Sequence, residues 1–386
     1  MDQLADTLQI LDDLIAFPTV STDSNLKMID CLANRLEAVG ARVDIFHDDS
    51  GAKANLFATI GPETDGGIVL SGHTDVVPAA EDDWTSDPFE MVRRGENLYG
   101  RGSCDMKGFI AATIAMAPVL ADRVKNRPLH FAFTHDEETG CLGGQELVKS
   151  LQSRGVRPGV AIIGEPTMMR VIEGHKGCCE YTTRFEGLGG HGSAPDRGVN
   201  AVEYAVRFVS RLLELRQQMR DRAPAGSRFT PPWTTMNVGS LTGGVAHNVI
   251  AARAAVEWEM RPVVDADGKF IRDELGRYIK DSLLPAMRRV CPDAAITTEV
   301  IGEIAGLIPM DENEAKQITM ELTGANNAEV VNFGTEAGLF QSMGMDVVVC
   351  GPGSIDQAHK PNEFVALGQM QQCLSMLEKL GGRLDA

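Results

Sequence analysis

The sequence has little positive charge, no long hydrophobic run and no CxxC cysteine pair. Its 386 residues include 36 Lys and Arg against 54 Asp and Glu, which gives a formal net charge of −18. A surface of this sign repels phosphate backbones and anionic lipid, so we expect neither nucleic-acid nor membrane binding. The longest apolar stretch, Phe109–Leu120, is far shorter than the roughly 20 residues that cross a bilayer.

The cysteines and the N-terminal segment both predict a cytoplasmic location. The 8 cysteines are scattered along the chain, which is typical of a reducing compartment and argues against a thiolate zinc site. The first residues, MDQLADTLQ, are acidic, whereas a secretory signal starts with a basic region. We therefore expect no export signal.

Alternating strand-like and helix-period segments predict an α/β fold class with a mostly parallel sheet. Short apolar runs such as Leu129–Thr134 and Val160–Ile163 read as buried strands, and they alternate with helical segments. The segment after Gly108 is almost wholly apolar, and a helix without a polar face belongs in the interior. An amphipathic helix, Phe364–Leu380, is expected near the end of the chain.

A smaller domain is expected inside the α/β domain. Between residues 176 and 300 the strands acquire one polar face, as in Ala254–Arg261, and two amphipathic helices separate them. This order predicts a small α+β domain of the ferredoxin-like, split βαβ type with an antiparallel sheet. The catalytic domain would then comprise residues 1–175 and 301–386, and the inserted domain residues 176–300.

Four apolar strands are each followed by a residue that can bind a metal. These residues are His73 and Asp75 after GIVLSG, Glu137 and Glu138 after LHFAFTHD, Glu165 after VAIIG, and His359 beyond DVVVCGPG. Open parallel sheets bind ligands at the carboxyl ends of their strands, so these side chains are expected to meet there. Asp105 in GRGSCDMKG precedes the apolar helix, whose N-terminus favours a carboxylate.

Two histidines and three carboxylates suit a pair of divalent cations. The carboxylates contribute three negative charges and a bridging hydroxide one more, which balances two cations. Nitrogen and oxygen ligands favour zinc, with cobalt or manganese as substitutes. Five ligands for two metals require one bridging carboxylate, for which Asp105 is the candidate. Glu137 is then expected to act as general base, and Asp75 to orient the His73 ring.

Five segments resemble, in order, motifs of the dinuclear zinc amidohydrolase and metallopeptidase family. They are SGHTDVVPA, LYGRGSCDMKG, THDEETGCLGG, IIGEPT and CGPGSIDQAHKPNEFV. The family includes aminoacylases, glutamate carboxypeptidases, succinyl-diaminopimelate desuccinylase and acetylornithine deacetylase. The resemblance implies the following site: one metal held by His73 and Glu165, the other by Glu138 and His359, a bridging Asp105, Glu137 as base, and Asp75 supporting His73.

The resemblance also implies a role for the inserted domain as a lid and dimerisation module, and hence a homodimer. His191, in the segment GGHGSAP, would cross from the partner subunit and donate a hydrogen bond to the oxyanion of the tetrahedral intermediate.

Three further residues are candidates for binding the substrate. Asn248 and Arg261 could hold the α-carboxylate, because an arginine binds a carboxylate with two parallel hydrogen bonds. Arg261 could equally pair with a glutamate of its own strand, Glu257 or Glu259. Thr335 in GTEAG is the third candidate.

The implied activity is a metal-dependent amide hydrolase that removes a short acyl group from a small-molecule N-acyl amino acid. A metal-bridging hydroxide would attack, with Glu137 as base. Within the family, the segment from VNFGTEAGLF to the last motif is most similar to acetylornithine deacetylases. The glycine-flanked form around His191 also resembles desuccinylases and aminoacylases, so these and carboxypeptidases are alternatives. A non-catalytic metal- or amino-acid-binding relative is disfavoured, because the base and all the ligands are present.

Overall fold

A computed structural model gives the structure of the protein and describes residues 3–79 and 83–384. Residues 1–2, 80–82 and 385–386, which the sequence assigns to the catalytic domain, lie outside the described residues. All eight cysteines lie within the described residues and are free thiols. In the described part of the chain, no helix combines the length and the apolar character needed to span a membrane.

The helices follow the predicted periodicity over most of the chain. In order, they are α1 (Gln3–Ile15), α2 (Leu26–Glu37), α3 (Lys107–Ala121), α4 (Leu142–Ser153), α5 (Ala201–Asp221), α6 (Asp265–Tyr278), α7 (Leu284–Arg288), α8 (Glu314–Thr323), α9 (Ala337–Ser342) and α10 (Leu367–Leu384). A π-helical turn, Ile279–Leu283, joins α6 to α7, and a 3₁₀ turn spans Pro195–Arg197.

The strands form separate sheets. In order, they are β1 (Arg42–His47), β2 (Ala54–Ile60), β3 (Ile68–His73), β4 (Val92–Arg94), β5 (Asn97–Tyr99), β6 (Leu129–Thr134), β7 (Val160–Pro166), β8 (Ile172–His175), β9 (Cys178–Glu186), β10 (Gly190–His191), β11 (Thr235–Gly243), β12 (Val249–Ile250), β13 (Arg253–Arg261), β14 (Ala295–Ile304), β15 (Glu329–Val331), β16 (Asp346–Gly351) and β17 (Phe364–Ala366).

The chain divides into two compact units. Apart from the residues that are not described, the first comprises Met1–Gly174, Pro309–Val330 and Thr335–Ala386. The second comprises His175–Ile308 and Val331–Gly334.

The first unit contains an eight-stranded sheet whose centre is parallel. Its order is β1-β2-β6-β3-β7-β16-β8-β15. The pairs β6/β3, β3/β7 and β7/β16 are parallel, whereas β1/β2, β2/β6 and β16/β8 are antiparallel. The predicted α/β fold class is therefore confirmed, with the parallel strands placed together at the middle of the sheet.

Helix α3 packs in the hydrophobic core of this unit. Its residues include Phe109, Ile110 and Ala111, all fully buried, which confirms that the apolar segment after Gly108 is an interior helix. The contact with the sheet is close, since a Cβ atom added at Gly164 of β7 would lie 2.0 Å from the Phe109 ring.

The predicted helix Phe364–Leu380 begins earlier than the helix in the structure. Phe364–Ala366 instead forms β17, which pairs with β5 in a three-stranded sheet, and α10 begins at Leu367. Val365 is buried opposite Leu98. Hydrophobic periodicity misplaces the start of the helix, because Phe364, which begins the short strand, lies three residues before Leu367 and so also fits the helical spacing.

The second unit has the predicted α+β topology. Its four-stranded sheet has the order β11-β13-β9-β14, and every pair is antiparallel. With α5 after β9 and α6 after β13, this is the strand order of a ferredoxin-like, split βαβ sheet. Phe185, Phe208 and Trp258 pack together in its core.

Candidate metal centre and active site

The four central strands of the first unit end at one edge of the sheet. The parallel register pairs His73 with Thr134, so the loop after β6 begins level with His73. Ser71 pairs with Ile163, which places Glu165 level with His73 on the neighbouring strand. The carboxyl ends of adjacent parallel strands thus carry the predicted ligands, as expected for a ligand site of an open α/β sheet.

Asp105 lies between two histidines. Its Oδ1 is 3.0 Å from His73 Nε2, and its Oδ2 is 3.3 Å from His359 Nε2. His359 Nε2 is also 2.9 Å from Glu138 Oε2, and His73 Nε2 is 3.7 Å from Glu165 Oε1. The five side chains therefore form two groups that share the Asp105 carboxylate.

The donor set and its burial suit cations. His73, Asp105 and Glu138 form one group of potential ligand atoms within 4.8 Å of one another, and His73, Glu137 and Glu165 form another. Glu165 Oε1 is buried and has no hydrogen-bond partner. A buried carboxylate oxygen without a donor is costly unless a cation lies beside it, so these residues fit a metal pair of nitrogen- and oxygen-binding type.

The charges of the cluster support the same conclusion. Burial raises the pKa of Glu165 and Glu138, and the nearby Asp105 carboxylate raises both pKa values further. Burial lowers the pKa of His73, but its hydrogen bonds to Asp105 and Asp75 outweigh this and raise the pKa well above its ordinary value. The raised pKa values of Glu165, Glu138 and His73 indicate a buried site of negative potential, which divalent cations would neutralise.

Asp75 contacts His73 through its backbone. His73 Nδ1 is 2.9 Å from the Asp75 carbonyl oxygen and 3.5 Å from the Asp75 carboxylate. Because a carbonyl oxygen only accepts hydrogen bonds, Nδ1 donates to Asp75, and Nε2, which faces Asp105, is the atom that would bind a cation once its own proton is displaced.

The Asp75 carboxylate also holds the loop after β6. It accepts hydrogen bonds from the backbone N–H groups of Glu137 (3.1 Å) and Glu138 (3.3 Å) and from Ser21 Oγ (2.7 Å). The two glutamates that the sequence assigns to different tasks are thereby fixed through the same carboxylate.

Glu137 lies beside the ligand cluster. Burial raises its pKa well above the ordinary value, the His73 charge opposes this, and neighbouring carboxylates including Glu138 add to it. Its Oε1 is 3.5 Å from Cys141 Sγ, which is placed to donate a weak hydrogen bond. A buried carboxylate with a raised pKa is suited to accept and return a proton near neutral pH.

Two buried carboxylates near the cluster were not predicted from the sequence. Glu336 accepts hydrogen bonds from Ser71 Oγ (2.6 Å) and Thr134 Oγ1 (2.8 Å), close to the ends of β3 and β6. Glu363 accepts bonds from the loop that carries Asp105. The only sequence signals are their positions within GTEAG and four residues after His359, and neither spacing by itself predicts burial.

His191 and Asn248 are neighbours in the second unit. His191 pairs with Val249 between β10 and β12, and Gly192 N–H donates to the Asn248 carbonyl. His191 is exposed, and its Nδ1 accepts a hydrogen bond from the Ser193 backbone N–H at 3.2 Å. Because Nδ1 is an acceptor, Nε2 carries the proton of the neutral ring and is the atom able to donate.

The other two substrate-binding candidates already have protein partners. Arg261 donates through Nε and Nη2 to Glu259 Oε2, at 3.1 and 2.9 Å, which is the pairing that the sequence left open as an alternative. Thr335 is buried in the first unit, and its Oγ1 accepts the Ala337 N–H at 3.1 Å. A role for either residue in substrate binding stays a prediction.

Comparison with known proteins identifies the family. Residues 69–381 match the model of peptidase family M20/M25/M40, and the chain belongs to this family. It is 34% identical to an acetylornithine deacetylase of Pasteurella multocida, with 99% of each chain covered. It is 36% identical to one of Photorhabdus laumondii, with 96% of each covered.

Solved structures show the same fold. An M20 family metallo-carboxypeptidase from Sulfolobus solfataricus superposes with a TM-score of 0.77 at 16% sequence identity, with all of both chains covered. A dinuclear metal binding peptidase of the M20 family from Bacillus subtilis gives a TM-score of 0.64 at 14% identity, covering 98% of this chain and 97% of that one.

Proposed function

We propose that this hydrolase removes the acetyl group of N2-acetyl-L-ornithine, giving ornithine and acetate. The observation that carries the reaction class is the meeting of His73, Asp105 and Glu138 with Glu165 and His359 at the carboxyl ends of parallel strands. The acyl and amino-acid preference is supported by relatives named acetylornithine deacetylase that match over nearly the whole chain.

The distances support an assignment of ligands to two cations, for which zinc is proposed and cobalt or manganese could substitute. His73 and Glu165 would hold one ion, and Glu138 and His359 the other. Asp105 would bind both, because its two oxygens face different histidines. When bound, such a pair acidifies a water molecule and polarises the acyl carbonyl.

Glu137 would move the proton. Its carboxylate would accept a proton from the attacking water at Oε2, while Oε1 stays in contact with Cys141 Sγ. The same carboxyl group would then donate that proton to the departing α-amine, so that the base of the first step is the acid of the second. Asp75 would keep Glu137 in place through the backbone N–H.

The roles of the second unit belong to the same proposal. We propose that it is the lid and the dimerisation module, that the chain forms a homodimer in the cytoplasm, and that Nε2 of His191 donates to the oxyanion. The tautomer imposed by the Ser193 N–H supports the last role. The free state of the eight cysteines suits a reducing compartment.

A substrate panel tests the proposal. Metal-replete protein is assayed with N2-acetylornithine, succinyl-diaminopimelate, N-acetylmethionine and a dipeptide, and kcat/KM values are compared. Acetylornithine should give the highest value. A higher value for another N-acyl amino acid would change the proposed substrate but leave the proposed reaction intact. No hydrolysis of any of these compounds would refute the proposed function.

A further inference from the structure

Glu363 is a buried carboxylate that contacts the loop of Asp105. It is 1% exposed. Its Oε1 accepts hydrogen bonds from the backbone N–H groups of Cys104 (2.8 Å) and Asp105 (3.0 Å), and its Oε2 accepts one from Gly102 (3.0 Å). One side chain therefore binds three amides within four residues of the loop.

A buried arginine completes this arrangement. Arg101 Nη1 donates to Glu363 Oε2 at 2.8 Å, and its guanidinium lies 5.1 Å from the centre of the Trp84 ring. Arg101 is 3% exposed. The four N–H donors and the positive charge compensate a carboxylate that would otherwise be costly to bury. Gly102 has a φ of +79°, so the turn that brings these amides together needs glycine.

Glu363 also joins two ligand-bearing segments that are distant in sequence. Its hydrogen bonds fix the backbone of Asp105, while it lies four residues beyond His359 in the segment AHKPNEF. Asp105 Oδ2 and His359 Nε2 are 3.3 Å apart. The bond to the Asp105 N–H thus acts on the residue whose two oxygens must face two histidines at once.

We infer that Glu363 is a positioning residue that holds Asp105 in the orientation needed to bridge two metal ions. This inference rests on the proposed function, since it concerns the same metal pair. Glu363 itself does not lie among the ligand groups of the cluster, so it acts through the Asp105 backbone. Partners of this kind typically change metal affinity by about 10- to 100-fold.

The test is zinc binding by Glu363→Gln, measured on the full-length metal-free protein by competition with a chelator. Glutamine keeps the shape but offers only one acceptor oxygen, so it cannot receive all four donors. The wild-type protein should bind two zinc ions tightly, and the variant one tightly and the second at least about 10-fold more weakly. Loss confined to one ion separates a positioning role from general destabilisation.

Glu173→Gln is the matched control. Glu173 is also buried in the first unit, at 4% exposure, and its carboxylate pairs with Lys316 Nζ at 2.9 Å. This control should bind both zinc ions with unchanged affinity. Equal zinc affinities for Glu363→Gln and the wild type would overturn the inference alone. A wild-type protein that binds no zinc would overturn the proposed metal centre, and the inference with it.

Hydrogen exchange gives a second measurement that needs no folded variant. In metal-free wild-type protein, the amides of Gly102, Cys104 and Asp105 should exchange slowly, because each donates to a buried carboxylate. Rapid exchange of these amides would contradict the inference whatever the fate of Glu363→Gln.

Discussion

At the scale of single residues, the site depends on which atom each side chain presents. His73 donates through Nδ1 to a backbone carbonyl, so its Nε2, which faces Asp105, is the atom left to bind a cation. His191 has the opposite arrangement, because Nδ1 accepts an N–H and Nε2 must carry the proton. One imidazole is therefore prepared to bind a cation and the other to donate a hydrogen bond.

Replacing Glu137 by Gln removes the proposed base without changing its size. We expect kcat to fall by about 10²- to 10⁴-fold, with KM and the metal content of the protein unchanged, because the Asp75 bond to the backbone of residue 137 remains. Steady-state kinetics and elemental analysis on the same sample measure both. An unchanged kcat would remove Glu137 from its role.

His130 is expected to make the stability of the protein depend on pH. Burial, and then the charge of Arg42, lower its pKa in the folded state to about 4, whereas the unfolded chain has the ordinary value of about 6.5. As pH falls below about 6.5, the unfolded state binds the proton first, so stability present above that pH is lost toward pH 4.

This loss is measurable by urea unfolding. When the pH is lowered from 7 to 4.5, the pKa difference of His130 between the folded and unfolded states should lower the free energy of unfolding by about 2 kcal/mol. The variant His130→Gln should lack this share of the pH dependence, and His47→Gln, at an exposed histidine, should retain it. Identical pH profiles for the wild type and His130→Gln would show that His130 titrates alike in both states.

At the scale of helices and strands, the site is built from strand ends, and this part was predictable. Strands β3, β6, β7 and β16 are apolar runs and neighbours in the sheet. His73 and Glu165 lie at the ends of β3 and β7, whereas Glu138 and His359 lie in the loops after β6 and β16. The roles of Glu363 and Glu336 were not predictable, because their hydrogen bonds join residues more than 200 positions apart. Local periodicity carries no information on such long-range contacts.

The close packing of α3 on β7 gives a prediction for Gly164. A Cβ atom there would meet the Phe109 ring, so Gly164→Ala should lower the free energy of unfolding by about 1–3 kcal/mol. Gly382→Ala in α10 is the control, since nothing lies within 4 Å of its added Cβ, and it should be neutral or stabilising by up to about 1 kcal/mol. Urea titrations that rank the two variants in the reverse order would contradict this packing.

At the scale of the whole molecule, the chain combines an α/β unit that carries the candidate metal ligands with a ferredoxin-like unit that carries His191. The change in strand pattern near residue 176 was visible in the sequence, because one-faced strands alternate polar and apolar residues. The assignment of residues 331–334 to the second unit was not visible in the sequence, since this short segment has no periodicity of its own. The lid and dimer roles of that unit stay predictions.

The central claim is that the five ligand side chains hold two divalent cations. Metal-free protein is titrated with zinc, with Asp105→Asn as a matched variant that keeps the shape of the bridging residue. We expect two tightly bound ions per wild-type chain, activity that appears with them and is lost to a chelator, and weaker binding by the variant. Zinc-free protein that hydrolyses acetylornithine at the full rate, or a wild-type chain that binds no divalent ion, would contradict the account.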